Sequence, residues 1–439
     1  MRTNLCILAL FLAAAGDVFG ADKDELRERR QRGAVTFHDG ILLLHAKSVV
    51  DGTADGFRQD AAFYYFTGLE NTLGALLAID GRSGESWLFV NPQPPFSKIQ
   101  PPEVSANPAV SKQLGIEHVV DWSELESFLA QRASSATTLY YQASVDAEEL
   151  PPNITGEKNH EAPLWLTTIA AKWPSFHLEE VGRSVSALMG VQSPREIVAL
   201  RAAARATVSA VMIGMRAIRP GVSQRSVEAA VENTCWNAGA HGSSFWPWVM
   251  AGENSVFPRP FASLIRYDHL NVVMRPGDLV RLDVGCEWEH YQGDLGRTVP
   301  VSGKYSDDQR ETWNIFVAAY QAGVKSLREG ITVDQVFDTW RAELLRHRES
   351  AKSALAQHAI DSWSQRENVR YWQLHTINLD AGHVGGPLRA ETTIAFEPIA
   401  SIDGQGFYLE DMFLITKDGA ELLTPGVPYT AEEIEAAMR

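Results

Sequence analysis

The chain has 439 residues, 45% of them hydrophobic and 21% charged, with a formal net charge of −16. This is globular rather than disordered composition, and the length allows two domains of ordinary size. So acidic a balance argues against nucleic acid and anionic membrane as partners, because phosphate binding needs clustered lysine and arginine.

Residues 1–20 read as a secretory signal. Arg2 supplies a short positive region, LCILALFLAAAG is an apolar run too short to span a bilayer, and Val18 and Gly20 suit cleavage at Gly20-Ala21. A secreted or periplasmic protein is expected, with no stable membrane insertion after cleavage. No later stretch reads as long and apolar enough to cross a bilayer. With Cys6 inside the signal, Cys235 and Cys286 remain. Two cysteines are not a disulfide framework, and both read as small buried hydrophobes, a single bridge between them being the alternative. Asn153-Ile154-Thr155 fits the glycosylation pattern, which matters only in a eukaryotic secretory host.

From 21 to 187, short helices and strands alternate. DELRERRQRGAV is a charged helix, and ILLLHA, ALLAID and SWLFV are strands with Asp80-Gly81-Arg82 as a turn between them. NPQPPFSKIQP is a proline-rich loop, HVVDWSELESFLAQRA a strand end followed by a capped helix, and TTLYYQA a strand. The alternation predicts an α/β domain. A break near 187–195 opens a second, α+β domain over 188–439. Its first helix, SPREIVALRAAARATVSAVMIGMRAI, has Ser193 as cap, Pro194 in the first turn and Glu196 completing a capping box, and Pro220-Gly221 stops it. Helices follow at 226–239, 307–329 and 333–347, with strands around VVMRPGDLVRLDVG and through 391–423.

The acids of this second domain carry the chemistry. DVGCEWEHYQGDLGRT holds Asp283 and Asp294 in apolar or turn-like surroundings. A hairpin centred on Trp288-Glu289 sets them opposite each other on one face. Two buried carboxylates so placed repel unless a cation sits between them, and a pair of hard divalent ions is the economical answer. Glu397 in AFEPIAS, Glu410 in FYLEDMFLIT and His375 in WQLHTINLD are further ligands embedded in apolar sequence. There is no Gly-x-Ser-x-Gly elbow, no phosphate-loop spacing around Gly303-Lys304 and no Cys-x-x-Cys pair.

This order, LVRLDVG…YQGDLGRTVPVSGKY, a histidine, FEP and LEDMFLITKDGAELLT, resembles the M24 metallopeptidases. FRQDAAFYYFTGLE at 57–70 resembles the amino-terminal domain found in the aminopeptidase P branch of that family. The resemblance implies a pita-bread (creatinase/aminopeptidase-like) catalytic domain after an α/β amino-terminal domain. It implies two divalent ions, manganese first, with zinc or cobalt as alternatives. Asp283 would chelate one ion, Asp294 and Glu410 would bridge both, and His375 and Glu397 would hold the other. The implied nucleophile is a metal-bridging hydroxide, with Glu397 as general base. The implied reaction removes an N-terminal residue from a peptide substrate, with proline second. Relatives often associate, so a homodimer stays open.

Three departures surround this ligand set. Seventeen residues before Asp283, the family's histidine-tyrosine pair falls on Arg266-Tyr267. An arginine can hold an oxyanion or a carboxylate but cannot shuttle protons, so His269 is the alternative. The family's first histidine of the metal segment is Tyr371. His375 and His383 both fit the metal position, and HTINLD favours His375, leaving His383 to polarise the scissile carbonyl from the substrate side. The arginine usual two residues before the last glutamate is Tyr408, near the substrate. Trp246 and Trp248 fall near the family's active-site wall, as pocket lining or as core. The rival reading is a non-catalytic or altered-specificity binding protein on the same scaffold.

Overall fold

A computed structural model describes residues 22–48, 57–94, 97–98, 104–133, 137–142, 162–257, 259, 271–369 and 373–439. The signal at 1–20, Asn153, Arg266, Tyr267, His269 and Tyr371 lie outside these residues. The chain divides into two compact units, one of Met1–Val49, Phe63–Tyr141 and Pro163–Glu179, the other of Val50–Ala62, Gln142–Ala162 and Glu180–Arg439.

The first unit is built on a mixed sheet. Its strands are β1 (Gly40–His45), β2 (Leu76–Asp80), β3 (Ser86–Val90), β4 (His118–Asp121), β5 (Thr137–Tyr141) and β6 (Phe176–Glu180), in the order β4-β3-β2-β1-β5-β6. β1–β2 and β2–β3 are antiparallel, while β1–β5 and β3–β4 are parallel. The helix Lys23–Thr36 starts where Asp22 accepts from the Asp24 N–H. It buries Arg29 and Arg30, which donate to the carbonyls of Tyr65 and Phe66 at 3.0 and 2.8 Å. Those carbonyls end the helix Ala61–Thr67, so the FRQDAAFYYFTGLE segment serves packing here, with Phe63, Tyr65 and Phe66 fully buried.

In the second unit the helix Pro194–Ala217 follows Gly182–Met189, and the reciprocal Ser193–Glu196 capping box is present. By length and apolar composition alone this helix could cross a membrane, contrary to the sequence reading. Its Ala199, Ala203, Ala206, Ala210 and Gly214 are buried at helical spacing, the pattern of a core helix, and Gly214 lies tight against Leu282 and Val231. The helices Gln224–Asn237, Asp307–Ser326 and Val333–Arg346 follow the expected positions, the second stopping three residues early. The helix Ala354–Trp363 was not read from the sequence.

Eleven further strands complete the described unit. They are β7 (Trp248–Ala251), β8 (Leu279–Val284), β9 (Glu287–Trp288), β10 (Tyr291–Gln292), β11 (Leu295–Pro300), β12 (Gln373–Ile377), β13 (Ala381–His383), β14 (Thr393–Glu397), β15 (Ile399–Ile402), β16 (Gln405–Ile415) and β17 (Ala420–Leu422). The main sheet runs β13-β12-β14-β16-β11-β8-β7, antiparallel throughout, with β15 and β17 also paired to β16. Side chains alternate across a strand. Leu282 therefore meets the helix at Gly214, and Phe396 stacks on Tyr320 with ring centroids 4.9 Å apart. The residues between them face the other way.

Two expectations need correction. The hairpin turns at Glu289-His290, not Trp288-Glu289, and both central residues have positive φ, 49° and 68°. This is the primed turn whose twist matches paired strands. It sets Asp283 opposite Gly296 and leaves Asp294 two residues away on the same side, so the aspartates are diagonal neighbours. Cys235 and Cys286 are disulfide-bonded, with Cα atoms 5.4 Å apart. The end of one helix meets the start of the hairpin there, a contact that no local pattern announces. Replacing both cysteines by serine removes a cross-link between positions 51 apart. The loss expected from chain entropy is roughly 4 kcal/mol. It should show as a lower urea midpoint than that of the oxidised protein.

Candidate active site

Strand register alone gathers the ligand set. Asp283 on β8 pairs with Gly296 on β11, and Gly296 pairs with Glu410 on β16. Met412, two residues after Glu410, pairs with Ala395 on β14, which pairs with His375 on β12. Glu397 is two residues from Ala395. With a period of two, Asp283, Glu410, Glu397 and His375 share one face, and Asp294 joins them two residues before Gly296. Gly296 has to be bare, because a Cβ there would lie 1.8 Å from the Tyr408 ring.

The distances follow from that register. His375 Nε2 lies 3.5 Å from Glu397 Oε1, 3.6 Å from Asp294 Oδ2 and 3.9 Å from Glu410 Oε1. Its other ring nitrogen is 3.1 Å from the Thr376 carbonyl, which leaves Nε2 aimed into the acids. Ligand atoms of Asp294, His375 and Glu410 all fall within 4.8 Å of one another. Asp294 Oδ1 and Glu410 Oε1 are buried with no hydrogen-bond partner among the described residues. Orphaned acceptors of this kind are expensive in a low-dielectric interior and call for a cation. Carboxylate oxygens with one imidazole suit manganese, zinc or cobalt, so the residues fit a divalent-metal site.

The electrostatics without a cation are unfavourable. Burial pushes the Asp294 carboxyl well above the usual range, and the charges of Asp283 and Glu397 add to it. Burial does the same to Glu410, reinforced by Asp294 and Glu397. Asp283 rises to about 6 by burial, held down in part by Arg281. Burial lowers the His375 value, but Glu397 and Glu410 outweigh it and hold it at about 9. All four groups therefore bind protons more tightly folded than unfolded. Their stabilising effect is full below the unfolded values and fades as pH climbs through the folded ones. The melting temperature of the chelator-stripped protein should fall between about pH 4 and pH 9. Added manganese should raise it most at the alkaline end, where no proton competes for the ligands. A stripped protein that gains stability over this range would contradict the acid cluster.

Arg281 was not singled out in the sequence, although the signal was there: two residues before Asp283, it occupies the same face of an otherwise apolar strand. It donates from Nη2 to Asp283 Oδ2 at 2.8 Å. Its guanidinium lies 4.1 Å from the centre of the Tyr408 ring. Tyr408 was expected beside the substrate; it is fully buried and its hydroxyl donates to Glu410 Oε2. The His383 backbone pairs with that of His375. The Trp246 and Trp248 rings lie tilted to each other with centroids 5.7 Å apart, and the Trp246 indole donates to the buried Glu228.

Residues 198–417 match the metallopeptidase family M24 and residues 26–140 the aminopeptidase P amino-terminal domain. The chain belongs to metallopeptidase family M24. It is 27% identical to the Xaa-Pro aminopeptidase of Escherichia coli strain K12, over 95% of this chain and 98% of that one. It is 24% identical to the Xaa-Pro aminopeptidase of Haemophilus influenzae, over 95% and 97%. Among solved structures, a variant of Escherichia coli aminopeptidase P superimposes with a TM-score of 0.76 at 24% identity, covering 95% of this chain and 98% of that chain. The E. coli enzyme with the inhibitor Pro-Leu superimposes at 0.73 and 25%, with the same coverage. This M24 protein is thus a metallo-aminopeptidase with an aminopeptidase P-type amino-terminal domain and a pita-bread domain. The family uses divalent metal, and the acid cluster lies within the matched region.

Proposed function

We propose that this M24 metallo-aminopeptidase is secreted and removes the first residue from peptides with proline second. The observation that carries the reading is the convergence of Asp294, His375, Glu397 and Glu410 on one sheet face with unsatisfied buried acceptors. The proline preference is supported by the names of its relatives, and secretion by the signal-like residues 1–20.

Asp294 and Glu410 would bridge two divalent ions, manganese first, with His375 and Glu397 completing one position and Asp283 the other. When bound, the ions supply Lewis acidity and a water nucleophile of lowered pKa. Glu397 Oε1, 3.5 Å from His375 Nε2, would take a proton from the attacking water and return it to the leaving nitrogen. The Tyr408 hydroxyl holds one oxygen of Glu410 and leaves the other free for metal. His383 would polarise the scissile carbonyl. Arg266 or His269 would complete proton handling or oxyanion binding, with Tyr267 beside the substrate.

The purified protein, loaded with manganese, should release the first residue from Xaa-Pro-Xaa peptides and stop when a chelator is added. Release that continues in chelator would defeat the reading. The rival, an altered-specificity or binding role, is favoured by Arg281 and Tyr408 within the acid face. It would show as about two bound ions per chain without turnover.

A further inference from the structure

The two aspartates of the hairpin are not held alike. Asp283 lies inside β8, laddered to Trp248 of β7 on one side and to Gly296 of β11 on the other. Asp294 lies in the break between β10 and β11, outside either strand. Its own N–H reaches the Met412 sulfur at 3.3 Å, a weak acceptor. The residue before it is tied more firmly. The Gly293 N–H is shared between the Cys286 carbonyl at 2.9 Å and Ser244 Oγ at 3.1 Å. The Cys286 N–H donates to Thr207 Oγ1 at 2.9 Å, and the Gly285 carbonyl accepts from the Ser244 N–H at 3.0 Å. The two sides of the hairpin base touch so closely that a Cβ on Gly285 would lie 2.0 Å from the Gly293 carbonyl oxygen. Cys286 is joined covalently to Cys235, near the end of the helix Gln224–Asn237.

We propose that this hairpin base is a clamp that sets the position of Asp294, that the Cys235–Cys286 bridge closes it, and that metal affinity depends on it. Ligand atoms must stand within about 0.2 Å of the distances a metal prefers. Ladder pairing gives Asp283, Glu410, Glu397 and His375 that precision. Asp294 receives it through Gly293, and Gly293 through Cys286 and Ser244. Hydrogen bonds at a strand break open locally at small cost. A covalent link does not open, so it keeps Cys286, and Gly293 with it, fixed to the helix end. Thr207 holds the same base to the helix Pro194–Ala217 from another side. Cys286 and Ser244 are positioning residues here, since they reach the metal only through Asp294. The inference rests on the metal reading above, but a different result defeats each.

The test is calorimetric titration of chelator-stripped protein with manganese at low temperature, where circular dichroism shows each variant folded. Cys235→Ala/Cys286→Ala should bind manganese at least about tenfold more weakly than the oxidised wild-type protein and lose it faster to a chelator. Ser244→Ala, at a half-buried position, removes one hydrogen bond of the clamp and should weaken binding about fivefold. Leu344→Ala is the control for lost stability alone. It opens a cavity in the helix Val333–Arg346, which packs on Asp307–Ser326 and Ala354–Trp363, and it should bind manganese as the wild-type protein does. Unchanged affinity in the cysteine variant, or an equal weakening in Leu344→Ala, would overturn the proposal. If the cysteine variant does not fold, Ser244→Ala decides, and unchanged affinity there overturns it. A wild-type protein that binds no ion would overturn the metal reading itself, and this inference with it.

Discussion

Glu410→Gln should abolish turnover while making the metal-free protein more stable. Glu410 is fully buried, its Oε2 accepts from Tyr408, and its Oε1 has no hydrogen-bond partner among the described residues. The amide keeps the shape and removes a charge that burial and Asp294 already disfavour. Stability in the absence of metal rises because one of the clustered buried carboxylates is gone. Metal binding falls because the substitution puts an N–H₂ donor where a cation needs an acceptor. Loss of a group merely supporting a metal ligand costs about 10–100-fold, so loss of Glu410, if it is itself a ligand as proposed, should cost at least a hundredfold in kcat/KM. Thermal melts of stripped protein, metal content and peptide turnover should move in these opposed directions. A variant that keeps its metal and its rate would remove Glu410 from the ligand set.

Arg297→Met carries the largest expected loss of stability. Arg297 sits in the GRT run after Asp294 and is completely buried. It donates to the carbonyls of Gly296, Glu410 and Pro428 at 2.7, 2.6 and 2.8 Å, and to Asp411 Oδ1 at 3.1 Å. Asp411 also accepts from Tyr320, Tyr429 and Thr424. Removing the guanidinium leaves a buried carboxylate without its cation and three carbonyls without a donor. Breaking a buried pair in this way costs about 3–5 kcal/mol. Arg297→Lys should recover only a part, since a point charge cannot serve four acceptors. Because one of those acceptors is the Glu410 carbonyl, metal retention should weaken too. Urea midpoints and metal content of the two variants test this, and a loss below about 1 kcal/mol would contradict the network.

Local signals were read well. The Ser193–Glu196 capping box spans three residues and needs nothing else in the chain. The strands carrying Asp283, Glu397 and Glu410 are apolar runs interrupted by one acid, or by the Glu410-Asp411 pair, and the interruption is visible. The hairpin was misplaced by one position because its turn uses Glu289-His290, with no Asn-Gly or Asp-Gly signal to mark it. The disulfide stood only as the alternative in the sequence because its cysteines are 51 positions apart and only the meeting of a helix end with a hairpin joins them.

By itself, the sequence determined which groups are buried: an acid inside LVRLDV, AFEP or FYLEDMF has no route to water once the strand is in a sheet, so it must find a cation. It also determined the family, through the order of those runs. Which groups touch was decided by the tertiary structure. Strand register between segments far apart in the chain brings Gly296 beside Glu410 and lets His375 face Asp294. The same register gives Asp283 an arginine two residues away as its partner. Burial is a property of a segment, whereas contact is a property of register, and register depends on every strand of the sheet at once.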